Sequence, residues 1–401
     1  MASLALYRRL LRTPHLRPLI AASFIARLPI GIQSLALVLF LRDETGSFAK
    51  AGAVAGVFAL CAGLFAPLQG RWVDRLGQTR LLVPLSILHA GAFAVLIALG
   101  LAHAPVVATA ALAAFAGAVV PPVSACFRPL LIEMLESDQQ LLVAGYALDA
   151  IMLEGVFLIG PLLTGVLVGA FSSALAVAAG AVIALVGGLG FAALPASRAW
   201  RGEATTRGIA GALASPGMRT VAFTALPVGI CFGTLEVVLP AFGAEHGASS
   251  IGGYLFAAMS VGSAVGGVAY GVAAGRLGSV ERGYLLLVAA LPFGLALCAL
   301  PNSVALMVLV VPVAGCVIAP LTAAENQIVS AVAPPGAATE AFTWVIMSTV
   351  VGVAAGNTLA GGLAEEVGWQ AALLAGCGTA GLGAVLAFAR RRTLSGSAVT
   401  A

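Results

Sequence analysis

GRWVDRLGQTR, residues 70–80, sets four charged side chains between two long apolar runs, at 50–70 and 81–101. A helix rises about 1.5 Å per residue and a hydrocarbon core is about 30 Å thick, so each flanking run suits one membrane crossing. This stretch of eleven residues, whose Gly70 closes the first run, reads as a short polar loop at the membrane surface. Working outward in both directions, apolar segments recur at 18–41, 105–127, 142–170 and 173–195. A second set lies at 219–242, 250–271, 284–301, 303–324, 340–363 and 369–389. The expected fold is therefore all-α and integral to a membrane, with twelve transmembrane helices.

Composition excludes the soluble alternatives. Hydrophobic residues are 61% of the 401 positions and charged residues 9%, with a mean hydropathy of +1.07. A soluble domain carries roughly a quarter charged residues. The six cysteines all sit in apolar runs without paired spacing and read as small packing residues. No metal-ligand cluster, nucleophile triad or glycine-lysine phosphate loop is present, so no cofactor, nucleic acid or enzymatic reaction is expected. Residues 1–17 are basic and polar, without a cleavage-site pattern, and read as a cytoplasmic lead-in.

Orientation follows from arginine. With the N-terminus inside, seventeen of the twenty cationic residues fall on the cytoplasmic side, among them Arg71, Arg75, Arg80, Arg128, Arg207, Arg219 and Arg276. Arg42 and Lys50 fall outside, and Arg27 lies within a span. Positive charge marks the inside, and an even helix number puts both termini in the cytoplasm, in a cell (inner) membrane.

The chain also repeats itself. LPIGI at 28–32 recurs as LPVGI at 226–230, and GRWVDRLG at 70–77 as GVAAGRLG at 271–278. Gly160 and Gly165 recur as Gly356 and Gly361. The expected organisation is two pseudo-symmetric six-helix bundles, 1–195 and 219–401, joined by a basic cytoplasmic linker at 196–218. Such duplication is common in secondary transporters, whose substrate site lies between the halves.

At this point the residues resemble the major facilitator superfamily. Gly70, Asp74, Arg75, Gly77 and Arg80 match that family's loop signature between the second and third helices. GVFLIGPLLTG, 155–165, is similar to the Gly-Pro motif of the superfamily's proton-coupled drug exporters, through Gly155 (displaced by one position), Gly160, Pro161 and Gly165. Thr164 stands where those exporters have glycine, and Ala113 where many carry an arginine in helix 4. The resemblance implies that Asp74 latches the cytoplasmic side by approaching a helix N-terminus of the other half, where the helix dipole favours an anion. The plainer reading is a capped loop, in which Gly70 and Gly77 allow close approach and a tight reversal. The second copy has Gly275 in place of Asp74, making the latch one-sided.

Ionisable residues inside a span cost about 2.5–3.5 kcal/mol on insertion scales and so mark candidate sites. Arg27, Asp149 and Glu154 lie roughly 13, 10 and 18 Å from the cytoplasmic helix ends at 1.5 Å per residue. They predict an intramembrane ion pair in which Glu154 exchanges a proton, or else a static salt bridge. Glu236, alone in FGTLEVVLP, is a second proton or cation site, or a hydrated acid near the surface. Gln33, Glu325, Asn357 and Trp344 are possible cavity residues, with Gln33, His89 and Asn357 equally readable as interhelical hydrogen bonds. Glu133, Glu136 and Asp138 suit a solvated loop. The expected function is a monomeric secondary transporter exporting a small amphipathic molecule in exchange for protons. The alternatives are an importer or facilitator of a polar metabolite and a non-transporting receptor on the same fold.

Overall fold

The computed structural model describes residues 8–135, 138–201, 211–273, 279–334 and 338–395. Arg207, Gly275, Arg276 and Glu136 lie outside the described residues. Among the described residues, twelve helices are long and apolar enough to cross a membrane. They are α1 (Leu16–Thr45), α2 (Phe48–Leu76), α3 (Gln78–Leu101), α4 (Val106–Leu135), α5 (Gln140–Ala170) and α6 (Ser173–Ala193), then α7 (Pro216–Glu245), α8 (Ile251–Gly271), α9 (Val280–Ala299), α10 (Val304–Val332), α11 (Glu340–Glu366) and α12 (Trp369–Ala389). Serine hydroxyls start several of them by accepting an orphan backbone N–H, as Ser47, Ser172, Ser215 and Ser303 do. The loop expected at 70–80 is almost wholly helical: α2 runs to Leu76 and α3 starts at Gln78, so Gly77 alone makes the reversal, with φ +86°, a left-handed conformation that glycine adopts without strain.

The halves pack alike. In the first, α1 packs on α5 and α6, α2 on α4, and α3 on α6; in the second, α7 packs on α11 and α12, α8 on α10, and α9 on α12. Two further pairs, α2 with α11 and α5 with α8, join the halves. The helices α4 and α10 are both interrupted, after Ala118 and after Gly315. Pro121 and Pro122 cause the first break, since neither supplies a backbone donor.

We call the end carrying the reversal at Gly77 the near end and the opposite one the far end. Contacts between the halves run from the far end to mid-depth. Gly165 of α5 lies on Gly253 of α8, and Gly361 of α11 on Gly52 of α2. A Cβ at Gly253 would stand 2.6 Å from the Pro161 carbonyl oxygen, so that approach requires glycine. Toward the near end the same helices part. Leu64, Leu68 and Trp72 of α2, Ile151 of α5 and Val265 and Val268 of α8 are exposed. The molecule is closed at the far end and open at the near end.

Candidate functional site

Two polar clusters occupy the middle of the molecule. In the first, Arg27 of α1 is 2% exposed and forms an ion pair with Asp149 of α5, which is also buried. The Arg27 guanidinium lies over the Phe127 ring, 4.8 Å from its centroid. Arg128 of α4 approaches the other carboxylate oxygen, Nε to Oδ2 3.1 Å. One carboxylate thus serves two arginines. Glu154, expected beside Arg27, is not part of this cluster. It follows Asp149 by five residues, roughly 140° around a helix of 3.6 residues per turn. It faces α8 instead, beside Ser263.

The second cluster crosses between the halves. Glu236 of α7 accepts hydrogen bonds from Ser34 Oγ of α1 and from Asn357 Nδ2 of α11, the latter at 2.9 Å. Both donors reach the same oxygen, Oε2. No cation pairs with Glu236 among the described residues. Asn357 is fully buried and its Oδ1 has no partner.

Beside this cluster the α5–α8 seam carries one further cross-link. Pro161 has no N–H, so the Phe157 carbonyl four residues earlier lacks its intrahelical donor. Ser260 Oγ of α8 lies 2.8 Å from that oxygen, its alternative acceptor being Phe256 O in its own helix at 3.1 Å. The proline therefore leaves an acceptor that the other half satisfies. Gly160, just before it, lies against Gly31 of α1.

The comparisons with known proteins fit this geometry. The family profile described as Major Facilitator Superfamily matches residues 19–318 and again 221–399. The chain belongs to the Major Facilitator Superfamily. As a Major Facilitator Superfamily member it is a membrane transporter and not an enzyme. No curated protein matches it. Among solved structures, a mutant of the nucleoside transporter NupG is similar at 16% identity and TM-score 0.76, covering 94% of this chain and 98% of that one. A POT family transporter in complex with a thioalcohol-conjugated peptide is similar at 14% identity and TM-score 0.69, covering 94% and 96%. The human organic anion transporter TETRAN is similar at 18% identity and TM-score 0.61, covering 93% and 99%. These likenesses establish the shared fold.

The remaining predicted residues fall in several places. Asp74 is half-buried and has no hydrogen bond or ion pair among the described residues. Arg75 and Arg80 are exposed; Arg80 lines a shallow near-end cleft with Thr79, Ser197, Arg198 and Arg201. The close approach expected at Gly70 is absent, because nothing lies within 4 Å of where its Cβ would stand, in contrast to the reversal at Gly77. Gly155 faces the Phe24 ring of α1. Gln33 is buried and bonded between helices: His89 Nδ1 lies 2.9 Å from the Ala116 carbonyl and so donates, which leaves Nε2 to accept from the Gln33 amide at 2.6 Å. Trp344 is partly buried against the core. Glu325 is half-buried on α10, whose Thr322, Asn326 and Gln327 are exposed. Asp138 is not simply solvated, since it caps α5 and pairs with Arg9.

Sequence reasoning missed Arg128 and Ser34. Arg128 was assigned to a cytoplasmic loop because the expected fourth span ended at 127. The break at Pro121 and Pro122 restarts the helix at Val123, and it continues to Leu135. The signal was present as apolar residues at 126, 127, 130 and 131, a helical spacing around the arginine. Ser34 carried no signal, since a single serine in a span has no distinguishing pattern.

Proposed function

We propose that residues 1–195 and 219–401 rock against each other about the two seams, exposing a central site to each side of the membrane in turn. The 196–218 linker joins them on the cytoplasmic side. The arginine bias supports a cytoplasmic near end, with both termini inside, which makes the present arrangement inward-open. Asp74 is then unlatched here and engages only when the near end closes. The chain works as a monomer in the cell membrane, and its transport is coupled to protons.

Glu236 carries the proton reading. Holding a partly buried carboxylate with no cation beside it is costly, and a proton removes that charge. The same proton would turn Oε2 from a double acceptor into a donor or a weaker acceptor, loosening the Ser34 bond, which crosses between the halves, together with the Asn357 bond inside the second half. Proton arrival and far-end opening are thereby the same event. The glycine-proline stretch of α5 favours export of a small amphipathic molecule. The half-exposed polar side chains on α4 and α10 favour a second reading, import of a polar metabolite of the kind named for NupG and the POT transporter.

Proteoliposomes given a mixture of small metabolites and drugs, with transported compounds read by mass spectrometry, test the coupling. Glu236→Gln is expected to abolish accumulation driven by a pH gradient while leaving exchange without a gradient. Wild-type accumulation by that variant refutes the role of Glu236. Asn357→Leu removes one hydrogen bond to a charged acceptor inside the second half and is expected to lower the stability of that half by about 1.5–3 kcal/mol, seen in thermal unfolding.

A further inference from the structure

The first cluster contains more cation than it uses. Arg27 and Arg128 share Asp149, leaving one positive charge uncompensated within the trio. Arg27 is buried, yet its Nε and Nη2 have no partner. Arg27 takes its charge partner from Asp149, so the surplus positive charge of the trio rests on Arg128. Arg128 differs from Arg27 in one decisive respect: its side chain is 54% exposed. Asp149 holds it through Nε alone, so the Nη1–Nη2 edge is without a hydrogen bond among the described residues. Ser124, one turn earlier, is exposed on the same face of α4. A charged side chain exposed about 10 Å inside the helix end is accommodated at lower cost facing water than facing lipid.

We infer that Arg128 is the substrate's anchor and that the substrate carries an anionic group: a carboxylate, phosphonate or phosphate. The planar fork of a guanidinium takes such a group in two parallel charge-assisted bonds. Asp149 fixes the plane of that fork through Nε, and Arg27 holds Asp149 in place from behind. Asp149 and Arg27 are therefore positioning residues, and Arg128 touches the ligand. This inference rests on the transporter reading but not on proton coupling.

The test uses the full chain in phosphatidylcholine nanodiscs, where no anionic lipid headgroup supplies the ligand. Phenylglyoxal, an arginine-selective reagent, is applied with or without benzoate, phenylphosphonate or the neutral benzamide, and peptide mass spectrometry reads each arginine. Arg128 is expected to react and Arg27 not to. The two anions slow the Arg128 reaction about tenfold, the scale of one charge-assisted contact, and benzamide does not. In Arg128→Lys, benzoate binding followed by thermal shift weakens by about tenfold, because an ammonium has no fork. An inert Arg128, equal protection by benzamide, or protection by none of the three overturns the inference. Added phosphatidylglycerol vesicles that alone protect Arg128 place a lipid headgroup there, which also overturns it. The readout needs no gradient: protection by anions in a chain that shows no proton-driven accumulation would keep the anion site and discard the proton reading.

Discussion

The two seams that join the halves are nearly the same in backbone and different in chemistry. Gly165 meets Gly253 in one, and Gly361 meets Gly52 in the other, positions related by offsets of 196 and 201 residues. Each half thus supplies one glycine to each seam. The residue after the repeated glycine differs: Pro161 follows Gly160, and Asn357 follows Gly356. At the first seam the missing proline N–H frees a carbonyl that Ser260 satisfies. At the second, the asparagine amide holds Glu236. The α2–α11 seam is also tied at its far end by Glu365, which accepts from Ser47 Oγ at 2.6 Å and from the Ala49 N–H at 3.0 Å, at the N-terminus of α2. An acid of one half thus sits on a helix start of the other, the arrangement expected of Asp74 at the near end. Duplication set the packing, and later divergence of single side chains set the chemistry. One seam carries a carbonyl freed by proline and held by Ser260, and the other an asparagine that reaches Glu236 of α7.

The comparison breaks most directly at the shared glycines. Gly253→Val puts a side chain against the Pro161 carbonyl and the Gly165 Cα, both backbone and unable to yield. Overpacking of this kind costs about 1–3 kcal/mol, a shift of roughly 5–150-fold away from the closed far end. Spin-label distances across the far end should widen; an unchanged distribution would remove the seam from the mechanism.

A smaller effect sharpens the proline reading. Ser260→Ala leaves the Phe157 carbonyl without a donor and is expected to cost about 1 kcal/mol in thermal unfolding. In Pro161→Ala the helix supplies its own N–H to that oxygen, so Ser260→Ala should then cost almost nothing. A double-mutant cycle with no coupling between the two positions rules the explanation out.

The smallest effect lies beyond the membrane-spanning segment, in the loop after α7. His246 Nδ1 lies 2.9 Å from the Phe242 carbonyl and Nε2 3.1 Å from that of Asn302. Carbonyls only accept, so both nitrogens must donate, and these two bonds raise the imidazole pKa above its usual value of 6.5. A raised value means the contribution is complete below about pH 6.5 and fades as pH rises through the folded value. The unfolding midpoint should drift down across that window in the wild type, and this component of the drift should vanish in His246→Gln.

Much of this was legible without coordinates. The twelve spans follow from hydropathy, because a bilayer admits few other solutions for a chain with 9% charge. The repeat was visible as glycines and short motifs, since backbone contact tolerates no substitute for them. Arg27 and Asp149 were found because charge is rare in a span. Their partnership was harder to see: Asp149 and Glu154 lie at similar depth, and only the helical phase separates them. Asp74 was legible as a charged residue at the near end, while its place in the last turn of α2, with Gly77 alone separating α2 from α3, was not.

Composition, periodicity and repeat determined by themselves that this chain crosses a membrane twelve times as two related halves, because those properties depend on solvent and on local geometry. Only the tertiary structure decided that Arg128 shares Asp149 with Arg27, that Glu236 is held from both halves, and that the far end is the closed one. Those depend on which faces of distant helices meet. In spans so rich in alanine and glycine, one face looks much like another until the backbones are packed.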